Sequence, residues 1–213
     1  MKGLFLYGAN CTGNVWNSMK PYLSNMDITF VEYPHEITKE AESVSDITKW
    51  VYDTYKNEKF DFIVGHSMGG IIALEMVTEL DYKCDKVIFI ESNLKPAEEF
   101  YRNLMMENNM KIHGEEVINM IKGEAEFYNE KLKESLQNVF DYSDYVRKYT
   151  GELFGVYGDR GVREYTNRIS DLCLDKDVSD KIKFSFVKDS CHMPMIENAE
   201  ELSNIIKNIL FKL

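Results

Sequence analysis

The feature that most limits what this chain can fold into is a rhythm. Six short apolar runs recur along it, each followed by a turn and, in most intervals, by a helical pattern. The runs are Gly3–Tyr7, Ile28–Val31, Phe60–Val64, Val87–Ile90, Leu153–Tyr157 and Ile182–Val187. They are apolar almost without interruption rather than alternating, which suits strands buried on both faces, as in a parallel sheet. Between them, Ala41–Asn57 places Val44, Ile47, Val51 and Tyr55 at steps of three and four. Met68–Leu80 carries Ile71, Ile72, Leu74, Met76, Val77 and Leu80, and Asn198–Leu210 carries Leu202, Ile205, Ile206 and Ile209. Strands alternating with helices imply βαβ crossovers and a mostly parallel α/β sheet of about six strands flanked by helices.

One interval breaks the rhythm. Between Glu91 and Glu152 lie about sixty residues without a strand pattern, where a crossover needs only about a dozen. Three helical stretches fit there: Pro96–Asn108, Glu115–Ile121 and Glu124–Tyr149. The surplus reads as a helical cap inserted after the fourth strand. The expected division is a core over 1–94, a cap over 95–150 and the rest of the core over 151–213, a size that suits one domain with an insertion.

The motif that carries chemistry is Gly65-His66-Ser67-Met68-Gly69, followed by Gly70. G-x-S-x-G alone is a modest signal. Here it stands directly after an apolar strand and directly before an apolar helix, the strand–turn–helix setting that such a nucleophile needs. The glycines let the turn close tightly, and the serine hydroxyl then stands clear of the sheet at the positive end of a helix. Serine needs a base. Of the four histidines, His66 sits beside Ser67 with its ring expected to point away, His35 follows the second strand and His113 lies in the cap. His192 follows the sixth strand, at the sheet end where catalytic groups gather in open α/β folds. It is the candidate base. Asp159, at the end of the fifth strand, completes the chain order Ser67…Asp159…His192 as the candidate carboxylate. Glu91, at the end of the fourth strand, is the alternative, and Asp189 is too near His192 in sequence. An oxyanion hole is expected from the backbone N–H groups of Met68 and Ala9, the latter in the loop after the first strand where Gly8 lets the chain turn back.

The formal net charge of −11 argues against nucleic acid or an anionic membrane as partner. Cys11, Cys84, Cys173 and Cys191 show no paired spacing, so neither a metal site nor a disulfide framework is expected. With no leader-like segment and no apolar stretch of about 20 residues, the expectation is a cytoplasmic protein, monomer or homodimer, that acts on a small molecule without metal or organic cofactor.

Together these residues resemble the α/β-hydrolase superfamily, in particular its small capped carboxylesterase-like members. Gly65-His66-Ser67-Met68-Gly69-Gly70 looks like the family's nucleophile elbow, and Cys191-His192-Met193-Pro194-Met195-Ile196-Glu197 resembles its histidine loop. Tyr7-Gly8-Ala9, with Trp16 following, stands where members usually carry His-Gly-x and a Trp. The family's acid commonly lies three residues past the strand-end glycine. That position here is Gly161, whereas Asp159 lies one past Gly158. The two N-terminal antiparallel strands of larger members have no counterpart. The resemblance implies cleavage of a carboxylic ester or thioester through an acyl-enzyme. The alternatives are carbon–carbon cleavage or elimination with the same triad, or a non-catalytic binding protein on this fold. The cap's Phe100, Tyr101, Leu104, Met105, Met106, Met110, Met120, Phe127 and Tyr128 suit an apolar acyl group. Its acids Glu98, Glu99, Glu107, Glu115 and Glu116 argue weakly against a strongly anionic substrate.

Overall fold

All six apolar runs are strands. The structure, a computed structural model, describes residues 1–137 and 139–211. The strands are β1 (Lys2–Leu6), β2 (Asp27–Phe30), β3 (Phe62–His66), β4 (Lys86–Ile90), β5 (Glu152–Gly158) and β6 (Ile182–Val187). They form one sheet in the order β2-β1-β3-β4-β5-β6, and every neighbouring pair is parallel. Leu4, Phe5 and Leu6 of β1, Phe62, Ile63 and Val64 of β3, and Val87 to Ile90 of β4 are wholly withdrawn from solvent. That burial on both faces is why these three runs are apolar throughout, whereas the edge strands β2 and β6 are only partly covered.

The crossovers are α1 (His35–Glu40) and α2 (Val44–Tyr55) between β2 and β3, and α3 (Met68–Thr78) between β3 and β4. Residues Met68 to Met76 of α3 are all buried, because the helix is enclosed by β1, β3 and β4 on one side and by α2 on the other. Its one acid in that stretch, Glu75, accepts hydrogen bonds from Thr48 Oγ1 at 2.7 Å and from Ser45 Oγ. This satisfies a carboxylate that would otherwise be buried alone.

The strand order fixes where a site can form. The chain steps from β1 outward to β2, then returns across β1 to β3 and continues the other way. Right-handed crossovers then leave by opposite faces, opening a crevice at the carboxyl ends of β1 and β3. The loop after β1 and the residue after β3, Ser67, border that crevice.

The long interval between β4 and β5 is helical, but divided differently from the sequence expectation. After a single 3-10 turn at Glu99–Tyr101 come α4 (Glu107–Ala125), α5 (Glu130–Ser135) and α6 (Ser143–Lys148). Pro96–Asn108 is mostly non-helical, and α4 runs unbroken over residues assigned to all three stretches. Gly114 lies inside it, its bare face against Met110. The fold closes with α7 (Lys176–Ser179), α8 (Pro194–Glu197) and α9 (Ala199–Phe211), the last packed on β6. Among the described residues no helix is long and apolar enough to cross a membrane.

Candidate active site

Ser67 sits at the junction of β3 and α3 with φ 52 and ψ −120, a left-handed backbone rare for a residue with a side chain. Its neighbours explain how it is held. A Cβ on Gly65 would lie 2.2 Å from the Gly69 carbonyl oxygen, and one on Gly69 would lie 2.4 Å from that of Leu6. Only hydrogen fits at either place. The Ser67 N–H donates to the Ile90 carbonyl at 2.9 Å, and its own carbonyl accepts from the Gly70 N–H at 3.0 Å. These bonds tie the elbow to the neighbouring strand and to the first turn of α3.

Ser67 and His192 line the same cleft, of about 550 Å³. No hydrogen bond joins them among the described residues. Ala9 and Met68 also border the cleft. The Met68 N–H is one of the orphan donors at the start of α3, and no hydrogen bond takes the Ala9 N–H among the described residues. Gly8 brings this loop close, since a Cβ there would stand 2.9 Å from the Ser67 Cβ.

The structure places the two candidate carboxylates differently. Asp159 is buried, but its Oδ1 accepts from the Gly161 N–H at 2.8 Å and the Asp189 N–H at 2.7 Å. It braces the turn after β5 against the loop that leads to His192, and no bond joins it to the imidazole. The carboxylate facing His192 Nδ1 is Glu91, whose Oε2 lies 3.6 Å away. Glu91 is fully buried and accepts from Arg160 Nη1 and Nη2 and from the Gly158 N–H, each at 2.6 Å. Burial alone would raise its carboxyl, but the His192 contact and the Arg160 charge and bonds outweigh burial and hold it below the ordinary value. Sequence order could not separate the two acids; their spatial relation to His192 does.

His66 does not line the cleft, in keeping with a ring that points away from the reacting face. Its ring is buried beneath the site and its Nε2 lies 2.9 Å from the His192 carbonyl oxygen. That contact requires the proton on Nε2. The two rings lie 5.0 Å apart. Burial first, then the neighbouring His192, pulls the His66 ring down to about 3. It is a neutral strut that holds the backbone of the histidine loop. The same loop is fixed by Glu197, which accepts from the Cys191 N–H at 2.7 Å and from the Met106 N–H of the insertion at 2.6 Å. His192's own N–H reaches the Asn103 carbonyl at 3.3 Å.

The non-glycine residues Asn10, Ser67, Glu91, Arg160 and Asp189 all have φ between 49 and 59. Each follows a different strand (β1, β3, β4, β5 and β6), so left-handed turns ring the carboxyl end of the sheet. The insertion supplies the outer wall of the cleft, with Tyr101, Arg102, Leu104, Lys133, Leu136 and Phe140. None of the five cap acids named from the sequence lines it, so the argument they offered against an anionic substrate lapses. No group of three or more His, Cys, Asp or Glu side chains suited to a metal ion occurs among the described residues.

A family model described as the alpha/beta hydrolase fold matches residues 8–111. No curated protein sequence matches significantly. Solved structures match over nearly the whole chain at low identity. An N-acyl homoserine lactone degrading enzyme, Est816, superposes with a TM-score of 0.71 at 13% identity, covering 98% of this chain and 92% of its own. A bacterial membrane phospholipase A gives 0.73 at 14%, covering 99% and 78%. A thermophilic esterase from Thermogutta terrifontis gives 0.69 at 12%, covering 100% and 90%. With six parallel strands in this order, an elbow after β3 and these matches, the chain has the α/β-hydrolase fold.

Proposed function

We propose that this protein is a serine hydrolase that cleaves a carboxylic ester or thioester of a small apolar acyl group through an acyl-enzyme. One observation carries the reading: a left-handed serine at the head of α3 shares a cleft with a histidine whose Nδ1 faces a buried carboxylate. With Nδ1 turned to Glu91, Nε2 is the nitrogen left for the serine. In this mechanism Ser67 attacks the carbonyl carbon while His192 takes the hydroxyl proton at Nε2. Glu91 orients the ring and steadies the imidazolium. The Met68 and Ala9 N–H groups stabilise the oxyanion. His192 then gives its proton to the leaving group, a water activated by the same nitrogen attacks the acyl-enzyme, and Ser67 is released. Glu91 takes the role that sequence order gave to Asp159.

The insertion acts as a cap over this machinery. Met68, Ile71, Leu104, Leu136 and Phe140 give the cleft an apolar wall, and its volume suits a small substrate. Rapid labelling of Ser67 by a fluorophosphonate, with hydrolysis of short p-nitrophenyl esters that Ser67→Ala abolishes, is the expected result. Wild-type turnover by Ser67→Ala, or folded protein that resists the probe, refutes the proposal.

A further inference from the structure

Glu91 does not face His192 freely. Its carboxylate is gripped in a two-pronged bond by Arg160, Nη1 to Oε1 and Nη2 to Oε2, both 2.6 Å. Oε2, the oxygen nearest His192 Nδ1, is therefore shared between guanidinium and imidazole. The Arg160 side chain is 3% exposed. Its guanidinium lies 4.5 Å from the centre of the Tyr101 ring, and Nη1 also donates to the Gly158 carbonyl at 2.8 Å. Its backbone N–H donates to the Ser190 carbonyl at 3.0 Å, in the loop that carries His192. Arg160 thus touches both the carboxylate and the histidine loop.

A buried ion pair is a poor source of stability, because desolvating two charges offsets most of their attraction. Its presence one contact from the imidazole calls for another reason. We infer that Arg160 is a positioning residue of the active site: it fixes the plane of the Glu91 carboxylate and shares its charge, so that the imidazolium formed at His192 meets a compensated acid. The inference rests on the hydrolase reading above.

The other groups around His192 leave this role to Arg160. From β3 comes His66, which burial keeps neutral. From the insertion come Tyr101, Arg102 and Lys133, on the cleft wall. Burial pushes the Tyr101 hydroxyl well up, so it stays uncharged. On the histidine's own loop, burial and then Glu197 push the Cys191 thiol up to about 12. The carboxylates of Asp159 and Glu197 are spent on backbone N–H groups. Glu91 is the anion that acts on the ring, and Arg160 is its only salt-bridged arginine or lysine among the described residues.

Removing the guanidinium leaves His192 as the sole cation beside a buried carboxylate, so protonated His192 becomes more favourable and the site works only at higher pH. The rate of fluorophosphonate labelling of Ser67 against pH measures this directly. For Arg160→Met the acid limb is expected to move up by about one pH unit or more, with a slower plateau. Arg160→Lys keeps a charge without the fork, so its limb should stay near the wild-type position with a plateau reduced about tenfold. In a Glu91→Gln background, Arg160→Met should add no further shift. An unshifted limb in Arg160→Met, a wild-type plateau in Arg160→Lys, or additive shifts in the double variant overturn the inference and leave the hydrolase reading intact. Folded wild-type protein that the probe does not label overturns both. If Arg160→Met does not fold, the lysine variant alone decides.

Discussion

His66 offers a sharp test of how this site is built. In the unfolded chain the ring takes a proton below its ordinary value of 6.5, whereas in the fold burial keeps it neutral down to about 3. Unfolding between those limits therefore takes up a proton, and stability falls as pH falls, by up to ~1.4 kcal/mol per pH unit. At pH 5 the unfolded ring is about 97% protonated and the buried ring is not, so acidification from pH 7 to 5 costs about 2 kcal/mol through this residue. Glu91, held below the ordinary carboxylate value, contributes in the same direction only at lower pH, where a depressed carboxyl begins to protonate. His66→Gln removes the titration and keeps an amide able to donate to the His192 carbonyl. Urea unfolding followed by tryptophan fluorescence at pH 7 and pH 5 should show wild type losing about 2 kcal/mol more than the variant over that interval. Equal losses would show that the buried ring accepts a proton and would refute the assignment of His66 as a neutral strut.

Two further predictions bear on the chemistry. Glu91→Gln should lower kcat/KM by roughly 10³–10⁴-fold, the scale of losing a triad carboxylate. Asp159→Asn should stay within about tenfold of wild type and lower stability by about 1–3 kcal/mol instead; the opposite ranking in ester assays would restore Asp159 as the acid. Gly8→Ala drives a methyl group to 2.9 Å from the Ser67 Cβ, and a displacement there should slow fluorophosphonate labelling about 10²-fold while circular dichroism stays unchanged. Wild-type labelling by Gly8→Ala would show that the loop after β1 moves aside freely.

Much of this fold was legible because burial on both faces leaves a strong mark. A run such as Val87–Ile90 has no polar position to confuse its reading, and all six runs became strands with ends shifted by no more than two residues. Gly65 and Gly69 were legible for a related reason, since backbone oxygen atoms occupy the space of any side chain there. The insertion was harder. Its helices bury few residues, Gly114 and Val117 in α4 and Leu132 in α5, so their apolar positions mark the helix bounds poorly. The carboxylate that faces His192 was legible only as one of a pair of alternatives. Asp159 and Glu91 both end strands and both precede His192. What separates them is that two backbone N–H groups claim the first, while the second, bonded to Arg160, lies 3.6 Å from the ring. The strut role of His66 was not legible because sequence adjacency to Ser67 says nothing of the loop, 126 residues on, that its ring supports.

The ring of left-handed residues at the carboxyl end of the sheet has a consequence for how this protein tolerates change. Five side-chain-bearing residues hold a conformation that costs about 1–2 kcal/mol each, a sum comparable to the net stability of a domain this size. Most of this tension thus lies at the end of the sheet where catalysis is proposed, although Asp81, in the loop before β4, shares the left-handed conformation at the opposite end. Variants selected for heat tolerance should accumulate at the amino end of the strands and on α2 and α9. Variants that relax the tensioned end should gain melting temperature at the expense of turnover.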